Sequence, residues 1–195
     1  MNEIEILKKI EKKVLWLACW MIHNANHIRE NQDGLKVGGH QASSASIVSI
    51  MSALYFSILR PEDRVAVKPH ASPVFHAIQY LSGLQTKEKI ENFRGFGGAQ
   101  SYPSRTKDID DVDISTGSVG LGVAMTSFIS LIQDYIARKK FYKNKPLGRM
   151  IALVGDAELD EGNVYECLQE GWKHDLRNVW WIIDYNRQSL DGVVH

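Results

Sequence analysis

Apolar residues recur at three- and four-residue spacing across residues 3–29, at Ile6, Ile10, Val14, Leu17 and Met21. That period lines one face of an α-helix. Trp16 and Trp20 widen the stripe, and a wide apolar face suits packing on more than one surface, in a second subunit or within the same domain. Residues 31–40, with Gly34, Gly38 and Gly39, read as a loop, and residues 43–59 as a second helix rich in small side chains. A short strand is predicted over 64–68, with His70 close behind, and a helix over 73–84. Thr86 is placed to cap a short helix through Phe93. Residues 94–105 form a Gly-rich polar loop and 112–115 a brief strand. A Gly-Ser turn over 117–122 opens a long helix, 119–140, whose basic end complements the helix dipole.

The last segment is the most informative. RMIALV (149–154) and VWWIID (179–184) are continuous apolar runs of buried-strand type. Between them residues 163–174 form a helix pattern, with Val164, Cys167, Leu168 and Gly171 on one side. Strand, helix and strand at this spacing make a βαβ unit with parallel strands. The predicted fold class is α/β, a mainly parallel sheet with helices on both faces, in one domain with an N-terminal helical arm over residues 1–30.

Composition narrows the function classes. Lys plus Arg and Asp plus Glu are equal at 23 each, so no overall field favours nucleic acid or an anionic membrane. The apolar run at 14–22 is too short to span a bilayer, and no cleavage pattern of small residues follows it. Cys19 and Cys167 lie far apart, outside any CxxC pattern, and read as apolar thiols in a reducing compartment. A cytoplasmic protein with neither nucleic-acid nor membrane partners is expected.

Two polar clusters follow the two buried strands: Gly155, Asp156, Ala157 and Glu158 after the first, Tyr185, Asn186, Arg187 and Gln188 after the second. Both lie at carboxyl ends of strands, where open α/β sheets bind ligands. Asp156 offers a hard carboxylate and Asn186 an amide oxygen, part of an octahedral oxygen shell for Mg2+. Backbone N–H groups in the turn at 155–158 suit a phosphate. The same residues also read as a helix cap and an ordinary turn. His40 and His70, on loops, suit proton transfer beside a carbonyl substrate, or read as structural loop histidines. His23, His27, His76 and His174 fall in helical stretches and read as structural or surface groups.

GDAELDEGN (155–163), followed by DYNRQSLDG (184–192), resembles the thiamine-diphosphate motif, a GDG start with an asparagine about thirty residues on. GGHQASSAS (38–46), PHASPVFHAIQYLSG (69–83), KIENFR (89–94), QSYPS (100–104) and STGSVGLG (115–122) extend the likeness in matching order over most of the chain. Together they resemble the diphosphate-binding domain of homodimeric-type pyruvate dehydrogenase E1, within the transketolase group. The resemblance implies thiamine diphosphate and Mg2+ as cofactors. Asp156, Asn186 and the Gln188 carbonyl would be the metal ligands. Gly155 and Ala157 would lie near the diphosphate, and Gly117, Ser118 and Gly120 near the thiamine. His40 and His70 would line the pocket as catalytic residues, and Glu161 would stand at a dimer contact.

The resemblance also implies 2-oxo acid decarboxylation as the reaction. The alternatives are transketolase-type ketol transfer between sugar phosphates, for which Arg94, Arg105 and Arg187 are available, and a non-catalytic or regulatory paralogue. A plain dinucleotide binder lacks its GxGxxG. Three residues depart from the family pattern: Ala157 for the motif's last glycine, Pro69 for the glycine before the histidine, and Ser104 where relatives often carry histidine. In the family the activating glutamate belongs to a pyrimidine-binding domain, which the resemblance places downstream or on another chain. The implied assembly is therefore a homodimer, or a pairing with a partner chain that carries that domain. The sequence stops at His195, soon after the second motif strand, as in a fragment, a truncated product or one subunit of a split enzyme.

Overall fold

A computed structural model describes residues 2–30, 34–141, 146–189 and 192–194. Residues 31–33 of the predicted loop and 190–191 of the second motif lie outside the described residues. The chain forms two compact units, Met1–Leu59 with Pro69–Val112, and Arg60–Lys68 with Asp113–His195.

The first unit is helical. α1 (Glu3–His23) starts at a capping box in which Asn2 accepts the Glu5 N–H at 2.9 Å and Glu5 accepts the Asn2 N–H at 3.1 Å. Its buried face is Val14, Leu17, Ala18, Met21 and Ile22. Ile6 and Trp16, which extend the stripe in the sequence, remain 42% and 55% exposed, so the amino-terminal turns of α1 have apolar surface to spare. The run predicted to residue 29 continues as a π-helical turn, Asn24–Ile28. The Asn26 amide donates to the Ile22 carbonyl at 2.7 Å and takes the place of an i→i−4 backbone bond, while Arg29 N–H reaches back to the Asn24 carbonyl.

α2 (Gln41–Ala53) ends in a second π turn, Leu54–Ile58. The run Gln41–Ile58 is long and apolar enough to cross a membrane by length and composition. Here it packs on α1 and on α3 (Ser72–Leu81), burying Ile47, Val48, Met51 and Leu54. α3 is the centre of the unit, with Ser72 to Gln79 all buried. Full burial of a side chain such as Phe75 or Ile78 contributes about 1.5–3 kcal/mol. α4 (Lys87–Glu91) is capped by Thr86 as expected. His76, read as structural, is fully buried: Nδ1 lies 2.6 Å from Asp110 Oδ2 and Nε2 2.8 Å from the Gln100 carbonyl. Burial alone would lower its pKa, but the bond to Asp110 and the nearby carboxylates bring the net shift upward.

The second unit holds the sheet. β1 (Arg64–Ala66), β2 (Met150–Gly155) and β3 (Val179–Asp184) are all parallel, in the order β1-β2-β3. The strand predicted over 112–115 is reduced to one parallel bridge, Ile114 to Ala66. Asp113 holds that segment to β1 by accepting the Val65 N–H at 2.9 Å. α5 (Leu121–Arg138) and α6 (Gly162–Lys173) cover one sheet face, with Val123, Ala124, Val164 and Cys167 packed on Ala152, Val154 and Trp181. The fold is α/β with a parallel sheet, as the sequence pattern implied. Cys167 is buried and Cys19 half-buried, and both are free thiols.

The amino end of the sheet is closed by Asp63, whose side chain is 1% exposed. It accepts the Arg149 N–H at 2.7 Å, the Arg60 N–H at 2.9 Å and both Nε and Nη2 of Arg149. Burial alone would raise the Asp63 carboxyl, but these bonds hold it down at about 2. A depressed carboxylate pKa stabilises the fold fully above the unfolded value and loses that contribution as pH falls toward the folded value. Allowing for the solvent that reaches Arg149, Asp63→Asn should cost about 1–2 kcal/mol at pH 7. In urea denaturation the difference between wild type and variant should shrink between pH 4 and pH 2, and an unchanged difference would refute the assignment.

Candidate functional site

In each unit the candidate residues are placed by the ends of elements. In the first unit, Gly39 turns the chain into α2 with φ +125°, and a Cβ there would lie 3.0 Å from Ile22 Cγ2. Asn26 ties down the preceding residue by accepting the Gly38 N–H and donating to its carbonyl, at 3.0 and 2.9 Å. His40 is the N-cap residue of α2, and its carbonyl accepts the N–H and hydroxyl of Ser44. His70 sits in the 3-10 turn Pro69–Ala71 that opens α3. The two imidazoles, both exposed, come together with ring centroids 4.6 Å apart. Of the departures, Pro69 starts the 3-10 turn, where a fixed φ is favourable. The hydroxyl of Ser104 lies 3.3 Å from that of Thr106, within its own turn. Arg94 gives Nη1 to the Val37 carbonyl.

In the second unit, the segments that follow β2 and β3 leave the carboxyl edge of the sheet and meet. β2 ends at Gly155, which is in register with Asp184 of β3. Asp156 is therefore beside the start of the second motif, and it is 3% exposed. It accepts the Ala157 N–H at 3.1 Å and the Arg187 N–H at 2.6 Å. Arg187 takes a left-handed φ of +60° to make that bond. Backbone strain of about 1–2 kcal/mol persists where surrounding structure enforces it, and it clusters at functional sites. The result wraps Asn186, Arg187 and Gln188 onto Asp156. Gln188 N–H also donates to Asn186 Oδ1 at 3.0 Å.

The glycine loop arrives from the other direction. Gly120 caps α5 with φ +77°, and a Cβ on it would lie 2.4 Å from Asn163 Oδ1. Gly117 is half-buried and Ser118 is exposed, with the Ser118 carbonyl accepting the Leu121 N–H. Glu158 joins this loop to the β2 turn, because its carboxylate accepts the N–H groups of Gly155, at 2.8 Å, and of Gly120. Burial raises the Glu158 carboxyl, opposed by those bonds and by the charge of Lys68. Ala157 stands within the 3-10 turn Asp156–Asp160 and outside the positive-φ region, so its methyl meets no backbone penalty.

Lys68 and Asp184 were not singled out from the sequence, and Glu158 was named there only as part of the polar cluster after the first strand. Lys68 Nζ lies 2.7 Å from Asp184 Oδ2, with side-chain exposures of 6% and 5%. The signal was present: a lysine follows the apolar Val65, Ala66 and Val67, and an aspartate ends the apolar VWWIID run.

The donor set fits a hard cation beside a diphosphate. Asp156, Asn186 and the Gln188 carbonyl offer only oxygens, as Mg2+ prefers. Close to Gly120 lies the buried Asn163 Oδ1, which has no hydrogen-bond partner among the described residues, as expected where a polar ligand belongs. A parallel α/β sheet with a carboxylate, an amide and a glycine loop at its carboxyl edge is the framework of a diphosphate-and-metal-binding domain.

Comparison with known proteins specifies which one. Residues 38–195 match the family described as transketolase, thiamine diphosphate binding domain, and the chain belongs to that family. Its cofactors are thiamine diphosphate and Mg2+. The chain is 30% identical over 198 residues to the pyruvate dehydrogenase E1 component of Pseudomonas aeruginosa, covering 96% of this chain and 22% of the relative. It is 27% identical over 201 residues to that of Mycolicibacterium smegmatis, with 97% and 21% covered. Among solved structures, transketolase from Leishmania mexicana superposes with TM-score 0.82 at 20% identity, covering 96% of this chain and 28% of that one. The chain thus spans about a fifth of the length of these curated relatives.

Gly120→Ala should cost about 2–4 kcal/mol, from left-handed backbone strain plus overlap with Asn163. Gly162→Ala, where a Cβ meets no atom within 4 Å, is the control and should cost little. Equal losses in urea denaturation would show that the close approach of Gly120 to Asn163 is unimportant.

Proposed function

We propose that this chain is the diphosphate- and Mg2+-binding part of an enzyme that cleaves C–C bonds next to a carbonyl, with 2-oxo acid decarboxylation of pyruvate dehydrogenase E1 type as its reaction. The observation that carries this reading is the closure of the second motif on the first through the Arg187 N–H bond to Asp156. That bond supports Asp156, Asn186 and the Gln188 carbonyl as a single oxygen ligand set. Gly155, Ala157 and the loop with Gly117, Ser118 and Gly120 bind the diphosphate and thiamine around it.

Bound thiamine diphosphate supplies a nucleophilic carbon and an electron sink. The chain's own residues anchor and orient it. Asp156 and Asn186 would hold the cation that neutralises the diphosphate. The paired imidazoles of His40 and His70 hold and pass protons at the substrate carbonyl and carboxylate. The pyruvate dehydrogenase relatives, at up to 30% identity, favour a small 2-oxo acid over a ketose phosphate. The use of Arg94 on the Val37 carbonyl supports the same choice. The structural likeness to transketolases favours ketol transfer as the second reading.

We further propose that a second copy, or a partner chain with the pyrimidine-binding domain, completes the site. Along α5, Leu121, Met125, Phe128, Ile132 and Tyr135 recur at helical spacing and are 39–57% exposed, and on α6 Trp172 is 90% exposed. Contiguous apolar surface of this kind marks an interface. A cytoplasmic setting agrees with the balanced charge.

Asp156→Ala should abolish Mg2+-dependent binding of thiamine diphosphate in calorimetric titration while leaving far-UV circular dichroism unchanged. Retained metal-dependent affinity would refute the ligand assignment. Phe128→Glu with Trp172→Glu should shift the chain toward monomer in sedimentation velocity, and a wild type that is monomeric at high concentration would remove the interface.

A further inference from the structure

Lys68 is, among the described residues, the only buried lysine or arginine. It follows β1 and reaches Asp184, the last residue of β3, past the end of β2. Stability alone does not explain such a pair, because well-packed apolar side chains of similar volume often serve as well or better. Its neighbours suggest what it does. A Cβ on Gly155, the first motif residue, would come within 3.3 Å of Lys68 Cε. Asp184 stands two residues before Asn186, whose side-chain Nδ2 lies 3.4 Å from the same Oδ2 that takes Lys68. On its other side, Asn186 Oδ1 accepts the Gln188 N–H at 3.0 Å.

An asparagine amide ligates a metal through oxygen only. Its two ends have nearly the same shape, so the hydrogen-bond partners decide which end faces where. Here the partners agree. A carboxylate accepts and does not donate, so Asp184 requires the nitrogen. A backbone N–H only donates, so Gln188 requires the oxygen. The Asp184 side of this arrangement depends on a buried carboxylate, and a buried carboxylate depends on a counter-charge. Lys68 supplies it.

Resting on the metal-site reading above, we propose that the Lys68–Asp184 pair is a positioning device for that site, fixing the Asn186 amide so that its oxygen is the atom offered to the cation. Neither residue touches the metal. The partners that orient a metal ligand typically change affinity about 10- to 100-fold when removed.

The test uses Mn2+ as the probe, titrated by electron paramagnetic resonance into the full chain with thiamine diphosphate present. Lys68→Met with Asp184→Leu removes both charges together, so no uncompensated ion is left buried and the melting temperature should stay close to wild type. Mn2+ affinity should nevertheless fall about 10- to 100-fold. Lys68→Met with Asp184→Asn restores an acceptor for the Asn186 nitrogen and should recover most of that loss. Wild-type affinity in the Met/Leu variant overturns the proposal, as does an Asn variant no better than the Leu one. If neither double variant folds, the wild-type chain decides by NMR: slow exchange of the Asn186 side-chain NH2 supports the proposal, and rapid averaging overturns it. If wild type and Asp156→Ala both fail to bind Mn2+, the metal-site reading itself falls, an outcome distinct from a defect confined to the pair variants.

Discussion

The parallel register of β2 and β3 is the constraint on which the second unit depends. Parallel strands that start together also end together, and everything after them leaves the same edge. With Gly155 opposite Asp184, two motifs 30 residues apart in the sequence have little choice but to meet. The Arg187 N–H bond to Asp156 is then a local closure rather than a long-range coincidence. An antiparallel pairing of the same strands would have sent the motifs to opposite edges and left Asp156 as the simple helix cap it resembles.

The two edges of the sheet divide their work. At the amino edge, Asp63 and Arg149 form a fully hydrogen-bonded pair, and the effect is stability. At the carboxyl edge, several local rules are broken together. A non-glycine residue takes a left-handed φ, a lysine is buried, and polar atoms are left without partners. Positive φ also occurs at Lys140 and Asp175, where it follows the ends of α5 and α6; departures that gather around candidate site residues instead are expected where function, rather than folding, sets the residues.

Much of this was legible in the sequence. The two buried strands and the helix between them stood out because buried parallel strands are continuous apolar runs with sharp polar ends. The residues that define the site sit at those ends. What was less legible has physical causes. Residues 112–115 have a strand-like composition, but only Ile114 pairs, because Asp113 spends its side chain on the Val65 N–H. The π turns at Asn24–Ile28 and Leu54–Ile58 leave no mark in apolar periodicity, and the first is set by one asparagine amide. The apolar positions of α1 fit one stripe, yet Ile6 and Trp16 remain exposed, since periodicity reports which residues share a face and not whether anything covers it.

Ala157 shows how a motif can depart from its pattern without losing its geometry. A glycine in such a turn is required only where φ is positive or a neighbour approaches closely. Gly120 meets both conditions, through its φ of +77° and Asn163 at its back. Ala157 meets neither backbone condition, because the turn after Asp156 is right-handed and the left-handed residue of this site is Arg187 on the other strand's loop. The conformational strain that brings the candidate ligands together falls on the second motif. The first motif is therefore free to carry a methyl group where relatives of the GDG type carry none, while its aspartate keeps both of its backbone donors.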